Sequence, residues 1–178
     1  MKRAQIAYLA DIPPKRFDLL AERDHLPFPK RGGGNYTLAE ALALRLIAMS
    51  TSVDGFGGIS PADARSLVVN AMGWIADRYG SNHPGSFVGS DTAVWIAGAE
   101  FTGQTKEGDA EVWRAWFAGA LDELPRWAAE QLDPSKPGLD ALRAPHMSRV
   151  FAALNVTTAA YEVLTRANEM GISEDEQR

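Results

Sequence analysis

Five basic side chains near the N-terminus have the type and spacing needed to bind phosphate groups. They are Lys15, Arg16, Arg23, Lys30 and Arg31. On a helical wheel of about 100° per residue, the first three fall on one arc together with Leu19. The last two stand directly before three consecutive glycines. Because lysine and arginine bind nucleic acids mainly through phosphate charge, this pattern predicts a contact with DNA.

The sequence offers little for catalysis or metal binding. It has no cysteine, which excludes disulfides and thiolate metal sites, and its histidines stand alone at positions 25, 83 and 146. No histidine pair lies at i, i+4 beside an acid, as zinc ligands often do. The glycine run lacks the Lys-Ser or Lys-Thr of a phosphate-binding loop, and no nucleophile elbow is present. We therefore expect no enzyme, no metal and no cofactor.

The charge of the chain is unevenly distributed. The whole chain of 178 residues carries a net charge of -5, yet residues 1–50 hold eight Lys/Arg against five Asp/Glu. This balance indicates a modest basic head on an acidic body, so that two heads would be needed for useful DNA affinity. No run of about 18 apolar residues and no apolar segment behind Lys2 and Arg3 is found, so we expect neither a membrane span nor a secretory signal. The predicted location is the cytoplasm.

Two short helices are expected to position the first basic residues. Ile6, Leu9 and Ala10 make one apolar stripe, and Ile12-Pro13-Pro14 interrupts it. Phe17, Leu20 and Ala21 then form the inner side of a second helix, for which proline is suited to the first position. The pattern predicts two helices joined by a tight turn, with the second able to enter a DNA major groove.

A glycine-rich loop and two longer helices follow. Residues 27–36 read as a wing, a small hairpin with its basic pair at the base, although a flexible linker is the alternative. Thr37 to Glu40 match a capping box that starts a helix from Leu38 to about Ser50. The Ser60-Pro61 start signal predicts another helix, which Gly80 can end. Its inner stripe is Ala64, Leu67, Val68, Ala71 and Ile75.

The first 75 or so residues resemble the DNA-binding domain of MerR-type regulators. The matching segments are Ala10-Asp11-Ile12-Pro13-Pro14-Lys15, Asp24-His25-Leu26, Gly34-Asn35-Tyr36 and Gly57-Gly58-Ile59-Ser60-Pro61-Ala62-Asp63. The sequence departs from the family at Asp18-Leu19, where an Arg-Tyr pair is usual, and at His25, where a glycine is usual.

The resemblance implies an α-helical winged domain that binds DNA as a dimer. It places Lys15 and Arg16 near bases or phosphates and Arg23 and Tyr36 near the DNA backbone. It also places Lys30 and Arg31 beside the wing. Because phosphate contacts position a protein without reading sequence, it does not indicate which base is recognised.

The resemblance stops at the second half. Phe87-Val88 and residues 92–97 predict a small hairpin, with a short helix over 92–99 as the alternative. Residues 109–132 have helical apolar spacing, with a kink or division at Pro125, and a last helix is expected from Pro145 to about Met170. The tail from Ser173 should be disordered. Five tryptophans, at 74, 95, 113, 116 and 127, predict a core or dimer interface, or else an effector pocket.

Together these patterns predict a mainly α protein. A winged helix-turn-helix domain with a small β-wing would span residues 1–79, a mostly helical oligomerisation or effector domain with one β-hairpin residues 80–172, and a tail 173–178. The predicted function is that of a sequence-specific transcriptional regulator of bacterial or phage type, a homodimer on double-stranded DNA. A small effector or a protein partner could bind the second half. The alternatives are a phage-type DNA-packaging, excision or architectural factor, and a protein–protein adaptor with a degenerate winged head.

Overall fold

The computed structural model describes residues 1–52, 58–89, 91–104, 110–131 and 147–172. In these ranges the chain forms six α-helices and a three-stranded antiparallel sheet. The elements are α1 (Arg3–Leu9), α2 (Pro14–Glu22), α3 (Leu38–Ser50), α4 (Pro61–Tyr79), β1 (Val94–Gln104), β2 (Ala110–Ala120), α5 (Leu124–Gln131), β3 (Met147–Asn155) and α6 (Val156–Glu169). No described helix has both the length and the apolar character needed to cross a membrane.

The four N-terminal helices confirm the sequence signals that predicted them. Thr37 caps α3, since its hydroxyl accepts the Glu40 N–H at 3.1 Å and the Glu40 carboxylate accepts the Thr37 N–H at 2.8 Å. The Ser60 hydroxyl caps α4 in the same way through the N–H of Asp63. Gly80 follows α4 with a φ of 71°, a left-handed conformation that glycine adopts without strain. These caps pair backbone groups that a helix end leaves free, so short local motifs fixed the helix ends.

The inner faces of α1, α3, α4 and α6 form one hydrophobic cluster. Ile6 and Leu9 of α1, Leu42 of α3, Val68 of α4 and Val163 of α6 are all fully buried there. Side chains on both sides of the predicted boundary at residues 79 and 80 therefore belong to a shared core. The division into domains 1–79 and 80–172 itself stays a prediction.

The sheet has the order β2-β1-β3 and packs against α4. Gly98 lies at its centre, opposite Trp116 on β2 and Ala152 on β3. A Cβ at Gly98 would stand 2.8 Å from the Trp116 ring and 3.0 Å from Leu67 of α4. The absent side chain thus lets the helix and the Trp116 ring come close to the middle strand.

Three predictions for the second half are wrong. Residues 110–120 form β2 rather than a helix, and only α5 and a preceding 3₁₀ turn are helical in that stretch. Phe87 follows another 3₁₀ turn and is not in a strand, so the hairpin partner of β1 is β2. The last helix begins at Val156, after β3, where the Asn155 side chain accepts the Thr158 N–H at 3.0 Å. Pairing across eleven residues of β1 and β2 outweighs the helix-like spacing of the tryptophans.

The predicted β-wing is also absent from the described residues. Residues 27–36 form an irregular loop, which is held by the first residue of the chain. The N-terminal ammonium of Met1 donates to the Tyr36 carbonyl at 2.7 Å, and the Tyr36 N–H donates to the Met1 carbonyl at 3.0 Å. The loop forms no hairpin because the backbone of Tyr36 pairs with Met1 and not with another part of the loop. The predicted tail 173–178 lies outside the described residues.

Candidate nucleic-acid interface

The outer face of α2 carries two of the predicted DNA-binding residues. Lys15, Leu19 and Arg23 are exposed at i, i+4 and i+8, whereas Phe17 and Leu20 on the opposite side are buried. Neither Lys15 nor Arg23 makes an ion pair with any residue that the structure describes. Both cations are therefore available to a phosphate.

Arg16 points a different way from Lys15. Its guanidinium donates to the Thr51 hydroxyl and, at 3.4 Å, to the Thr51 carbonyl. Thr51 is the C-cap of α3, where helix carbonyls lack partners within the helix. Arg16 therefore ties α2 to the end of α3 and is half-buried, and its predicted contact with DNA stays a prediction.

Tyr36 is a core residue. Its side chain is 2% exposed, and its ring packs edge-on to Phe17 of α2 with 5.8 Å between centroids. Phe28 packs on it from within the loop at 5.5 Å. The Tyr36 hydroxyl accepts the Arg31 N–H at 3.2 Å and donates to the Arg31 carbonyl at 3.3 Å. The ring of Tyr36 thus fastens the loop to α2, and its predicted contact with the DNA backbone stays a prediction.

The two cations of the loop, Lys30 and Arg31, differ in how far other residues neutralise them. Lys30 is exposed and has no ion pair within the described part of the chain. Arg31 pairs with the Glu40 carboxylate at 2.7 Å and donates to the Asn35 carbonyl at 2.6 Å. Its guanidinium also lies 5.9 Å from the centre of the Tyr36 ring. The Glu40 carboxylate therefore offsets much of the Arg31 charge, while the Lys30 charge stays available.

Acidic side chains share the α2 surface. Asp18 is neutralised by Arg3 at 2.7 Å, and Glu22 is exposed on the same side as Lys15 and Arg23. Asp24, which follows α2, has a left-handed backbone conformation with a φ of 54°. Arg65 of α4 lies near Asp24 at 3.9 Å and donates to the Leu26 carbonyl at 3.0 Å.

Sequence reasoning missed the supporting roles of Arg3 and Arg65. Arg3 removes an acidic charge from the α2 surface, and Arg65 fixes the chain that leaves α2. Both act across long separations in the sequence, 15 and 39 residues, and no local motif marks such contacts. Lys15, Arg23 and Lys30 are exposed cations of this region without an ion pair among the described residues. No three described His, Asp or Glu side chains lie close enough together to hold a metal ion.

Comparisons with known proteins add nothing to this geometry. No protein-family model matches the chain, and neither a curated protein nor a solved structure shows significant similarity to it.

Proposed function

We propose that this protein is a sequence-specific DNA-binding regulator of bacterial or phage type, which binds double-stranded DNA as a homodimer. One observation carries the proposal: Tyr36 packs the cationic loop directly against α2 through Phe17. The exposed cations of the helix, Lys15 and Arg23, and Lys30 of the loop therefore belong to one packed unit. A helix backed by a core, with an adjoining basic loop, is the arrangement that helix-turn-helix proteins insert into a major groove.

The small number of free cations favours a dimer. Three unpaired charges support only weak binding, because each phosphate contact adds a modest, salt-dependent increment. Two copies at half-sites about one helical turn of DNA apart would double that number and would bind a palindrome. Transcriptional regulation is the proposed use of such binding.

A protein-binding head is the second candidate, and the composition of the α2 surface favours it. Leu19 is 43% exposed between Lys15 and Arg23, and Glu22 lies beside it. An exposed leucine flanked by both signs of charge suits a protein partner as well as it suits DNA. The experiment that tests DNA binding separates the two candidates.

The test is a salt titration of binding to genomic fragments, followed by sequencing of the fragments retained at about 150 mM salt. We expect one palindrome to be enriched. Replacing Lys15 and Arg23 together by Ala should reduce the slope of log affinity against log salt by about 0.9 for each lost phosphate contact. No retention even at low salt, or an unchanged slope in the double variant, would make the head a protein-binding module.

Glu22→Gln is the matched control on the same helix. It alters a neighbouring exposed side chain and removes a negative charge, so DNA binding should become tighter and not weaker. Opposite changes in the two variants would show that charge at the α2 surface, and not damage to the helix, determines affinity. If Glu22→Gln weakened DNA binding as much as the double replacement of Lys15 and Arg23 does, this result would count against the proposed interface.

A further inference from the structure

Three tryptophans from three different elements meet at one hollow. Trp74 of α4, Trp116 of β2 and Trp127 of α5 line a cavity of about 520 Å³. Asp77 and Arg126 line it as well. These five residues are called the tryptophan patch below. Trp74 is 52% exposed, and an indole left open to solvent beside an aromatic hollow is typical of surfaces that another molecule covers.

The tryptophan patch combines a protruding side chain with a hollow. Trp74 stands half in solvent, while Phe117 lies at the protected side of the cavity with 5% exposure. Its ring is 5.5 Å from the Trp127 ring, so aromatic groups already line the hollow. The cavity is large enough to receive one indole. In a two-fold dimer each subunit contributes the same patch, so each Trp74 can enter the hollow of the other subunit.

The charges of the tryptophan patch also complement themselves. Asp77 and Arg126 are exposed, and neither forms an ion pair with another described residue. Arg78 beside them is held by Glu123 at 2.8 Å. Of the charged residues that line the cavity, Asp77 and Arg126 can pair twice across a two-fold axis. A ligand of a single charge would leave one of them without a partner, so these charges favour a second copy of the chain.

We propose that the tryptophan patch is the two-fold interface between two copies of this protein. Trp74 occupies the hollow of the partner, and Asp77 faces the arginine at position 126 of the other copy. Tryptophan and arginine are the residues that most often dominate the affinity of such interfaces. The inference rests on the homodimer of the proposed function and deepens it by naming the surface that joins the two copies.

The test measures mass in solution without DNA, by sedimentation or light scattering across a range of protein concentrations. Wild type should have twice the 19.3 kDa chain mass at about 10 μM. Trp74→Ser should raise the dissociation constant by at least about 10-fold. Tyr161→Ser is the matched control, because Tyr161 is 62% exposed on α6 and should leave the mass unchanged. Circular dichroism checks that both variants fold.

If Trp74→Ser fails to fold, exchanging the charges at positions 77 and 126 tests the interface instead. Asp77→Arg and Arg126→Asp should each weaken dimerisation, and the double variant should recover it, because both pairs are then restored with reversed sign. A wild type that stays monomeric at about 100 μM, a dimer that Trp74→Ser leaves intact, or a double variant no better than the single ones overturns the inference. Since no DNA is present, such a result leaves the role of α2 to the salt titration.

Discussion

Among the described residues, basic side chains lack ion pairs in one region of this protein and are paired with carboxylates in another. On α2 and its loop, Lys15, Arg23 and Lys30 are exposed without ion pairs among the described residues. Between α3 and α6, arginines and carboxylates form what we call the α3–α6 seam, made of Asp11, Arg45, Glu162 and Arg166. The first region leaves positive charge available to a partner, whereas the second neutralises it inside the molecule.

The α3–α6 seam alternates in sign around a small ring. Arg45 reaches Glu162 at 2.6 Å and Asp11 at 3.2 Å, and Arg166 reaches Asp11 at 3.1 Å. The Arg45 side chain is only 15% exposed, so its charge is largely withdrawn from water. The ring joins the turn after α1 to both helices. Charged side chains thus serve stability in the α3–α6 seam, and on α2 and its loop they stay available for recognition.

The largest effect on stability is expected at Arg45. Arg45→Met keeps the apolar stem but leaves Asp11 and Glu162 with one cation instead of two, so unfolding should become easier by about 2 kcal/mol. The urea midpoint should fall with an unchanged m-value. Arg23→Met is the matched control and should change stability by less than about 0.5 kcal/mol while weakening DNA binding. Equal losses in both variants would remove the distinction between the two regions.

The sequence predicted this division only in part. The helix ends at Thr37, Ser60 and Gly80 were predictable because capping depends on residues within four positions of one another. The exposure of Lys15 and Arg23 followed from helical spacing. The inward turn of Arg16 did not, because Thr51 reaches it from 35 residues away.

The sequence predicted only part of the sheet: its strand-like run at 92–97 contains the start of β1, whereas the residues of β2 and β3 were predicted to be helical. Residues 110–120 have an apolar spacing that a helix could use, and only their pairing with β1 decides for a strand. β3 reaches β1 over a still longer separation. Tyr36 shows the same limit at the candidate site, since its burial depends on Phe17 and on the first residue of the chain. Local signals thus predicted the four N-terminal helices, and contacts between separate segments determined the sheet and the available charge.

A smaller effect is expected in the loop of residues 27–36, which holds one paired and one unpaired cation. Arg31 is bound to Glu40 and Asn35, whereas its neighbour Lys30 is free of ion pairs among the described residues. Arg31→Gln should lower stability by about 0.5–1 kcal/mol, the value of a well-placed surface pair, and change DNA affinity little. Lys30→Gln should leave stability unchanged and reduce DNA affinity. Thermal melts and DNA titrations of both variants test this, and identical behaviour of the two would contradict it.

The smallest effect concerns Glu123, whose pairing gives the fold a dependence on pH. The hydrogen bond from Arg78, with a second from the Ala120 N–H, holds the pKa of the Glu123 carboxyl below its ordinary value of 4.5. The folded protein therefore binds this proton more weakly than the unfolded chain does. The stabilisation is complete above the unfolded pKa and is lost as pH falls through the folded pKa. Because the Arg78 side chain is 47% exposed, it amounts to less than about 1 kcal/mol.

Glu123→Gln should accordingly be less stable than wild type at pH 7, and the difference should shrink as the pH falls below 4.5. Urea unfolding of both proteins at one fixed protein concentration across this range measures it. Arg78→Met is the matched control: with the donor gone, Glu123 loses the main cause of its lowered pKa, and the acid dependence should flatten in the same way. A difference that is constant with pH would show that Glu123 acts by packing, and would place Arg78 with the free cations of α2 instead of the neutralised ones of the seam.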